Sequence, residues 1–405
     1  MTRGAAASAA LAVALLVAAC DGGPHPASLR SARPSPGLAP LGALSRAGRG
    51  DSSEGRDAGL QPTAGPTRPA ARPSRESPLP ARERAAARSA AGEGPRRLTS
   101  GGCCTLPFWG AGSDRVLYLD RPAPDEPAGI WAVDADAAQP VPERVLDVGF
   151  YTQDLAYRID VAPGTTTLSR LADPARGVEA ATWSVPAGGE SVSLSPGRRR
   201  IAWTVSDPNA SFQRRVSAMW VANLDGSEAR RVASLLRGGF SGWLSDDRLL
   251  WTERADASGD VALSTHDLAA RETREVARAD RMRGTLLAPG GRWLVYHVTV
   301  TGDPSANGFF LVDLAVGGTR RLPADLLGGY QWRDGRRLVV VPYRPDAEWH
   351  ALVELDVETG ATRTLVDPAA TPIKIANGDW TVSPDGRRLA WVDARDRNIW
   401  TLALP

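Results

Sequence analysis

Ser383-Pro384-Asp385-Gly386-Arg387-Arg388-Leu389-Ala390-Trp391 is the stretch that decides the fold. Proline presets φ at the second position of a type I turn, aspartate suits the third, and glycine relieves strain where the chain leaves. Branched and aromatic residues follow, and Asn398-Ile399-Trp400-Thr401-Leu402 continues the pattern, so the turn predicts the start of a β-hairpin.

The element recurs. Ser195-Pro196-Gly197 precedes Ile201-Ala202-Trp203, Ala288-Pro289-Gly290-Gly291 precedes Leu294-Val295-Tyr296, and Asp334-Gly335-Arg336-Arg337 precedes Leu338. Worn copies stand at Ser245-Asp246-Asp247-Arg248-Leu249-Leu250-Trp251 and Ser113-Asp114-Arg115-Val116-Leu117-Tyr118, and Asp154-Leu155-Ala156-Tyr157 is the weakest. With Val116, Leu155, Ile201, Leu249, Leu294, Leu338 and Leu389 as anchors, the successive spacings are 39, 46, 48, 45, 44 and 51 residues. That period is a four-stranded propeller blade. The predicted fold is all-β, a seven-bladed β-propeller over residues 94–405, with six blades as the alternative.

The repeat resembles that of the TolB-type β-propellers, in which a Ser-Pro-Asp-Gly turn and an Arg-Arg-Leu-Ala strand recur. This resemblance covers about 310 residues, and it specifies architecture more than activity. Related propellers serve as envelope interaction platforms, as appendages to peptidases, and occasionally as lyases. Two departures stand out: the helical N-terminal domain of TolB has no counterpart, and seven repeats stand where that protein has six.

Pro95-Arg96-Arg97-Leu98-Thr99-Ser100-Gly101 reads as the last strand of a repeat missing its first three, while the final repeat has three strands and then stops. The N-terminal piece is therefore expected to complete the C-terminal blade, which closes the ring and hides an edge. The aromatic residues two past their anchors, Trp203, Trp251, Tyr296 and Trp391, are assigned to packing between blades.

Ahead of the ring, Arg3, the apolar run Ala5 to Val17, and Val17-Ala18-Ala19-Cys20 read as a lipoprotein signal peptide over 1–19 with lipidation at Cys20. Residues 20–93 contain no Phe, Trp or Tyr, whereas all thirteen Trp lie at or beyond Trp109. Such a segment cannot bury enough apolar surface to order itself, so it reads as a disordered tether rich in Ala, Pro and Arg. The expected address is extracytoplasmic, on the periplasmic or surface side of a bacterial membrane. Asp21 resembles the inner-membrane retention signal of enteric lipoproteins, and the choice of membrane stays open.

Arginine accounts for all basic residues but Lys374, and the arginines alternate with acids, so no nucleic-acid footprint is expected. The long connections Asp120 to Ala128, Ser206 to Arg215, Arg254 to Asp260, Thr301 to Gly308 and Tyr343 to Trp349 all belong on one face of the ring. Elaborated loops on a rigid scaffold are where recognition resides. At the channel mouth on that face, register places Cys103, Cys104, Phe150, Tyr151, Arg237, Phe240, Arg283, Tyr330, Asp379 and Trp380. Aromatic area with guanidinium donors suits a peptide or an anionic small molecule.

Three states are open to Cys103-Cys104: a vicinal disulfide, two free thiols, or an intermolecular bond. Signals for catalysis are few. His25, His266, His297 and His350 form no paired metal motif, and no Gly-x-Ser-x-Gly elbow occurs. The lyase propellers that the resemblance brings in use clustered histidines, and those here fall in different blades. No cofactor or metal is expected; Asp393 with Asp396 and Asp125 with Glu126 read as solvated loop charge. The expected role is a protein- or peptide-binding or scaffolding module of the cell envelope. The alternatives are a polysaccharide lyase or hydrolase, and a glycan or small-molecule sensor.

Overall fold

The computed structural model describes residues 94–405 apart from 103–104, 124, 153, 163, 174–177, 187–191, 208, 212–213, 255–259 and 300–302. The signal segment, Cys20, the tether and the Cys103-Cys104 pair lie outside the described residues. The chain enters as β1 (Arg96–Arg97). Blade 1 is β2 (Thr105–Trp109), β3 (Arg115–Asp120), β4 (Gly129–Asp134) and β5 (Glu143–Asp147). Blade 2 is β6 (Phe150–Tyr151), β7 (Tyr157–Ala162), β8 (Thr165–Asp173) and β9 (Val178–Pro186). Blade 3 is β10 (Val192–Leu194), β11 (Arg200–Ser206), β12 (Val216–Asn223) and β13 (Arg230–Leu236). Blade 4 is β14 (Gly239–Ser245), β15 (Arg248–Arg254), β16 (Asp260–Asp267) and β17 (Glu272–Asp280). Blade 5 is β18 (Met282–Leu287), β19 (Trp293–Val298), β20 (Gly308–Asp313) and β21 (Thr319–Arg321). Blade 6 is β22 (Gly328–Trp332), β23 (Arg337–Pro342), β24 (Leu352–Asp356) and β25 (Thr362–Val366). Blade 7 is β26 (Ile375–Val382), β27 (Arg388–Asp393) and β28 (Ile399–Ala403), with β1 as its outer strand. Seven four-stranded antiparallel sheets thus make the ring, and the six-bladed alternative falls.

Turn chemistry explains the hairpins. Gly386 donates its N–H to the Ser383 carbonyl at 2.8 Å, and the Ser383 hydroxyl accepts from the N–H groups of Arg387 (3.2 Å) and Arg388 (2.9 Å). Gly386 has φ 72°, and a Cβ there would stand 2.7 Å from the Arg333 carbonyl oxygen, so both backbone and space require glycine. Ser195 repeats the device by accepting from Arg199 and Arg200. In blade 6 the carboxylate of Asp334 takes that part for Arg336 and Arg337.

The closure is as expected from the sequence. Arg96 pairs with Thr401 and Arg97 with Trp400, and Leu98 donates to the Ile399 carbonyl at 2.8 Å. The Thr99 hydroxyl then accepts the Ile399 N–H at 2.9 Å. These bonds cover the edge of β28 that would otherwise lie open.

Trp203, Trp251, Tyr296 and Trp391 are buried, as their register implies. Three of them stack on their cross-strand partners: Trp203 on Trp220, Tyr296 on Phe310 and Trp391 on Trp400. Those stacks lie within single blades, and a separate tie joins neighbouring blades. The indole N–H groups of Trp109, Trp243 and Trp332 donate to the carbonyls of Thr381, Ser193 and Leu286, each on the innermost strand of the preceding blade.

One anchor moves. Leu171 donates to Ala156 O as Ala135 does to Asp114 O and Leu224 to Arg199 O, which aligns Ala156 with Asp114 and Arg199. The blade 2 anchor is therefore Arg158 rather than Leu155, and Leu155 sits in the turn at φ 55°. The spacings from Val116 to Arg158 and on to Ile201 become 42 and 43 residues. The blade 2 turn has neither Pro nor Gly to mark its register.

Candidate binding face

The two faces of the ring are built differently. First-to-second and third-to-fourth connections emerge on one face, where adjacent turns interlock. Asp385 N donates to the Ser113 hydroxyl at 3.1 Å, and Gly197 N and Arg199 Nε both donate to the Asp246 carboxylate at 2.7 Å. Arg333 Nε donates to Gly386 O at 2.7 Å, and Arg198 pairs with Asp154. Backbone and side-chain donors on this face are thus engaged in holding blades together.

Second-to-third and interblade connections emerge on the opposite face. There β3 and β4 are joined by 121–128, β11 and β12 by 207–215, β15 and β16 by 255–259, β19 and β20 by 299–307, and β23 and β24 by 343–351. Blade 2 is the exception, since β7 ends at Ala162 and β8 resumes at Thr165.

The innermost strands line the channel, and four of them are irregular near their starts. Register shifts occur between Thr105 and Phe108 in β2, Phe240 and Gly242 in β14, Arg283 and Leu286 in β18, and Ile375 and Trp380 in β26. Within them Leu106 (φ 52°), Gly284 (φ 61°) and Asn377 (φ 53°) are left-handed. Bulges re-aim side chains, and here they decide which of the register-derived residues reach the mouth.

Arg283 is exposed, and Phe240 and Phe150 are half-buried. Phe240 sets its ring edge-on to Trp243 at 6.0 Å. Tyr151 is only 9% exposed and donates its hydroxyl to Asp147 O at 3.2 Å; burial pushes its pKa up. Trp380, 7% exposed, packs among Val339, Leu352, Ile375 and Leu389, so its ring serves the junction of blades 6 and 7. Arg237 lies off the innermost strands: its N–H bonds to Arg215 O at 2.8 Å, extending the β12–β13 ladder.

Asp379 is buried and accepts from the Thr105 hydroxyl at 3.3 Å, bridging blades 7 and 1. Burial raises its pKa, against the opposing pull of the Thr105 hydrogen bond and the Arg397 charge. Tyr330 joins a polar cluster with Gly284 and His297. Its hydroxyl donates to Gly284 O and lies 3.2 Å from His297 Nδ1, while its ring tilts against Phe309 at 4.6 Å. Burial raises the Tyr330 pKa and lowers that of His297, which the Arg283 charge lowers further. A Cβ at Gly284 would lie 2.5 Å from the Tyr330 hydroxyl and 2.7 Å from His297 Cε1. Sequence reasoning had Tyr330 and missed its partners; the signal was a glycine within a strand.

No family model matches the sequence, and no curated protein matches it. Solved structures do match. An oligogalacturonate lyase in complex with manganese is 15% identical over 78% of this chain and 95% of its own, with a TM-score of 0.50. Oligogalacturonate lyase from Vibrio parahaemolyticus is 10% identical over 77% of this chain and 93% of its own, with a TM-score of 0.49. TolB from Acinetobacter baumannii is 17% identical over 73% of this chain and 64% of its own, with a TM-score of 0.35.

The shared property is the β-propeller fold. The three described histidines are engaged separately. His266 Nδ1 lies 2.9 Å from the Thr273 hydroxyl with its ring against Trp251, His297 faces Tyr330, and His350 Nδ1 accepts the Ile375 N–H at 3.1 Å. His266 stands on β16 and His297 on β19, while His350 lies in the β23–β24 connection, and among the described residues no three His, Cys, Asp or Glu side chains group to hold a metal ion.

Proposed function

We propose that the protein is a lipid-anchored, extracytoplasmic binding or scaffolding module of a bacterial cell envelope, presenting its loop-rich face to a protein or peptide. One observation carries the reading: turns on one face are spent on interblade bonds, while the longest second-to-third connections, 207–215, 299–307 and 343–351, emerge on the other. The entry of the chain supports it. β1 runs antiparallel to β28 as the outer strand of blade 7, so Gly94 lies at the tight-turn face. An anchor at Cys20 then attaches from that side, and the loop-rich face is turned away from the attachment. As a flexible coil the tether spans roughly 50 Å, enough to hold the ring clear of a membrane.

The test is photo-crosslinking in the native envelope, with probes placed singly at Phe240, Arg283 and Asn377 and, on the other face, at Gly226 and Gly360. A discrete protein adduct from the first set alone is expected. Adducts from Gly226 and Gly360 alone, or from neither set, contradict the proposal, and the latter result directs the search to glycans and turnover. Lipidation is tested separately: labelled fatty acid should enter the parent chain and not Cys20→Ala.

A further inference from the structure

Where blade 6 hands over to blade 7, three hydrogen bonds tie down the connection 343–351. His350 donates its backbone N–H to the Ile373 carbonyl at 2.9 Å, forming an isolated antiparallel bridge. Ile375 returns the contact by donating its N–H to His350 Nδ1 at 3.1 Å, and Lys374, the only lysine in the chain, donates from Nζ to the Ala347 carbonyl at 2.9 Å. Ile373 and Ile375 are buried in the core shared by blades 6 and 7, so the far side of the tie is fixed. The near side carries surface: Tyr343 is 72% exposed, and Arg344, Asp346 and Glu348 are exposed with it.

The bond from Ile375 exists only while the imidazole is neutral. A backbone N–H needs a lone pair, which Nδ1 offers in the tautomer protonated at Nε2; imidazolium carries a proton on both nitrogens and accepts nothing. Protonation therefore sets donor against donor at Ile375 and adds a positive charge beside Lys374. Burial, and then the Lys374 charge, hold the His350 pKa below the ordinary 6.5. Other charged groups on the packed elements are engaged or in solvent. Asp393, at the end of β27, and Arg395 just past it form a fork to each other, with the guanidinium over the Trp349 ring at 5.3 Å. Asp346 and Glu348 on the connection, and Asp367 at the start of the next, are exposed, where water and salt screen them. The fold thus holds the neutral form above pH 6.5 and yields as the pH falls below it.

We propose that His350 is a pH-sensitive latch on the loop-rich face, holding the β23–β24 connection against the interblade connection when neutral and releasing it when protonated. With that face as the binding surface, which rests on the proposed function, the latch makes capture of a partner weaken in acid.

Hydrogen exchange of the purified full chain between roughly pH 7 and pH 5, with each rate divided by its intrinsic value, tests the latch. In the parent, protection over 347–351 and 373–375 should fall roughly tenfold, the worth of about one hydrogen bond. His350→Asn puts a carbonyl oxygen that cannot titrate where Nδ1 stands and should keep the protection at both pH values, whereas His350→Ala should lack it at both. The turn 383–386, on the opposite face, should change in none of them. Equal protection of the parent at both pH values, loss of protection in His350→Asn at either, protection that survives His350→Ala, or an equal fall at 383–386, which marks opening of the whole domain, overturns the proposal. No partner enters the measurement, so the latch can fail while the binding face stands, and the reverse.

Discussion

Leu98→Ala probes the seam that closes the ring. Leu98 is 2% exposed and packs with Trp109, Val116, Tyr118, Ala376, Val392 and Ile399, residues drawn from both blade 7 and blade 1. Truncation removes three carbons from this junction, a transfer loss of about 2.4 kcal/mol at about 0.8 kcal/mol per methylene. A cavity contribution adds to it, because Trp109 and Tyr118 are fixed in the sheet of blade 1, and Val392 and Ile399 in that of blade 7, and they cannot collapse freely into the space. The expected cost is about 3 kcal/mol, which for a domain of this size lowers the melting temperature by roughly 4–5 °C. Urea and thermal unfolding of the full chain measure it, with Val141→Ala as the control because Val141 is 75% exposed. If Leu98→Ala unfolds at the same midpoint as Val141→Ala, residues 96–99 do not hold the ring and the closure argument fails.

Other consequences follow from single contacts. Gly386→Ala should cost about 2–3 kcal/mol, since the residue is left-handed and faces the Arg333 carbonyl, whereas Gly360→Ala, equally left-handed with open space around it, should cost about 1 kcal/mol; denaturation midpoints compare them. Arg333→Ala leaves Glu354 buried with one of its two arginine partners gone, and also removes donors to Gly386 O and Pro405 O. A loss of about 3–5 kcal/mol is expected, and the double change Arg333→Met with Glu354→Leu should recover most of it. Burial holds His266, His297 and His350 below their ordinary pKa of 6.5, helped by the charges of Arg230, Arg283 and Lys374 and opposed at His266 by Asp267. The unfolded chain then binds protons that the fold refuses, so stability is full above pH 6.5 and falls as the pH drops below it. His297→Gln should flatten the melting-temperature profile between pH 7 and 5; an unchanged slope contradicts the assignment.

The blades were legible because their signal is local. A turn that needs Pro, Asp and Gly in order announces itself wherever it recurs, and the missing strand at the C-terminal end pointed to its complement at Arg96 and Arg97. Blade 2 was misplaced by three residues because its turn around Leu155 carries none of those marks. The mouth was less legible. Tyr151 turns into packing from a regular pair of residues, while Trp380 turns into packing and Asp379 into a bridge to Thr105 through a bulge in β26 that belongs to strand pairing and leaves little trace in composition. Arg237 was placed by counting from the next strand, whereas the ladder that includes Arg215 claims it first.

Hydrogen exchange, comparing the free chain with the chain purified from its native envelope together with a captured partner, addresses the division of labour between the faces most directly. The account predicts added protection in the connections 121–128, 207–215 and 343–351, and none at the turns 195–198 and 383–386. Protection at those turns, or no difference between the two states, contradicts it.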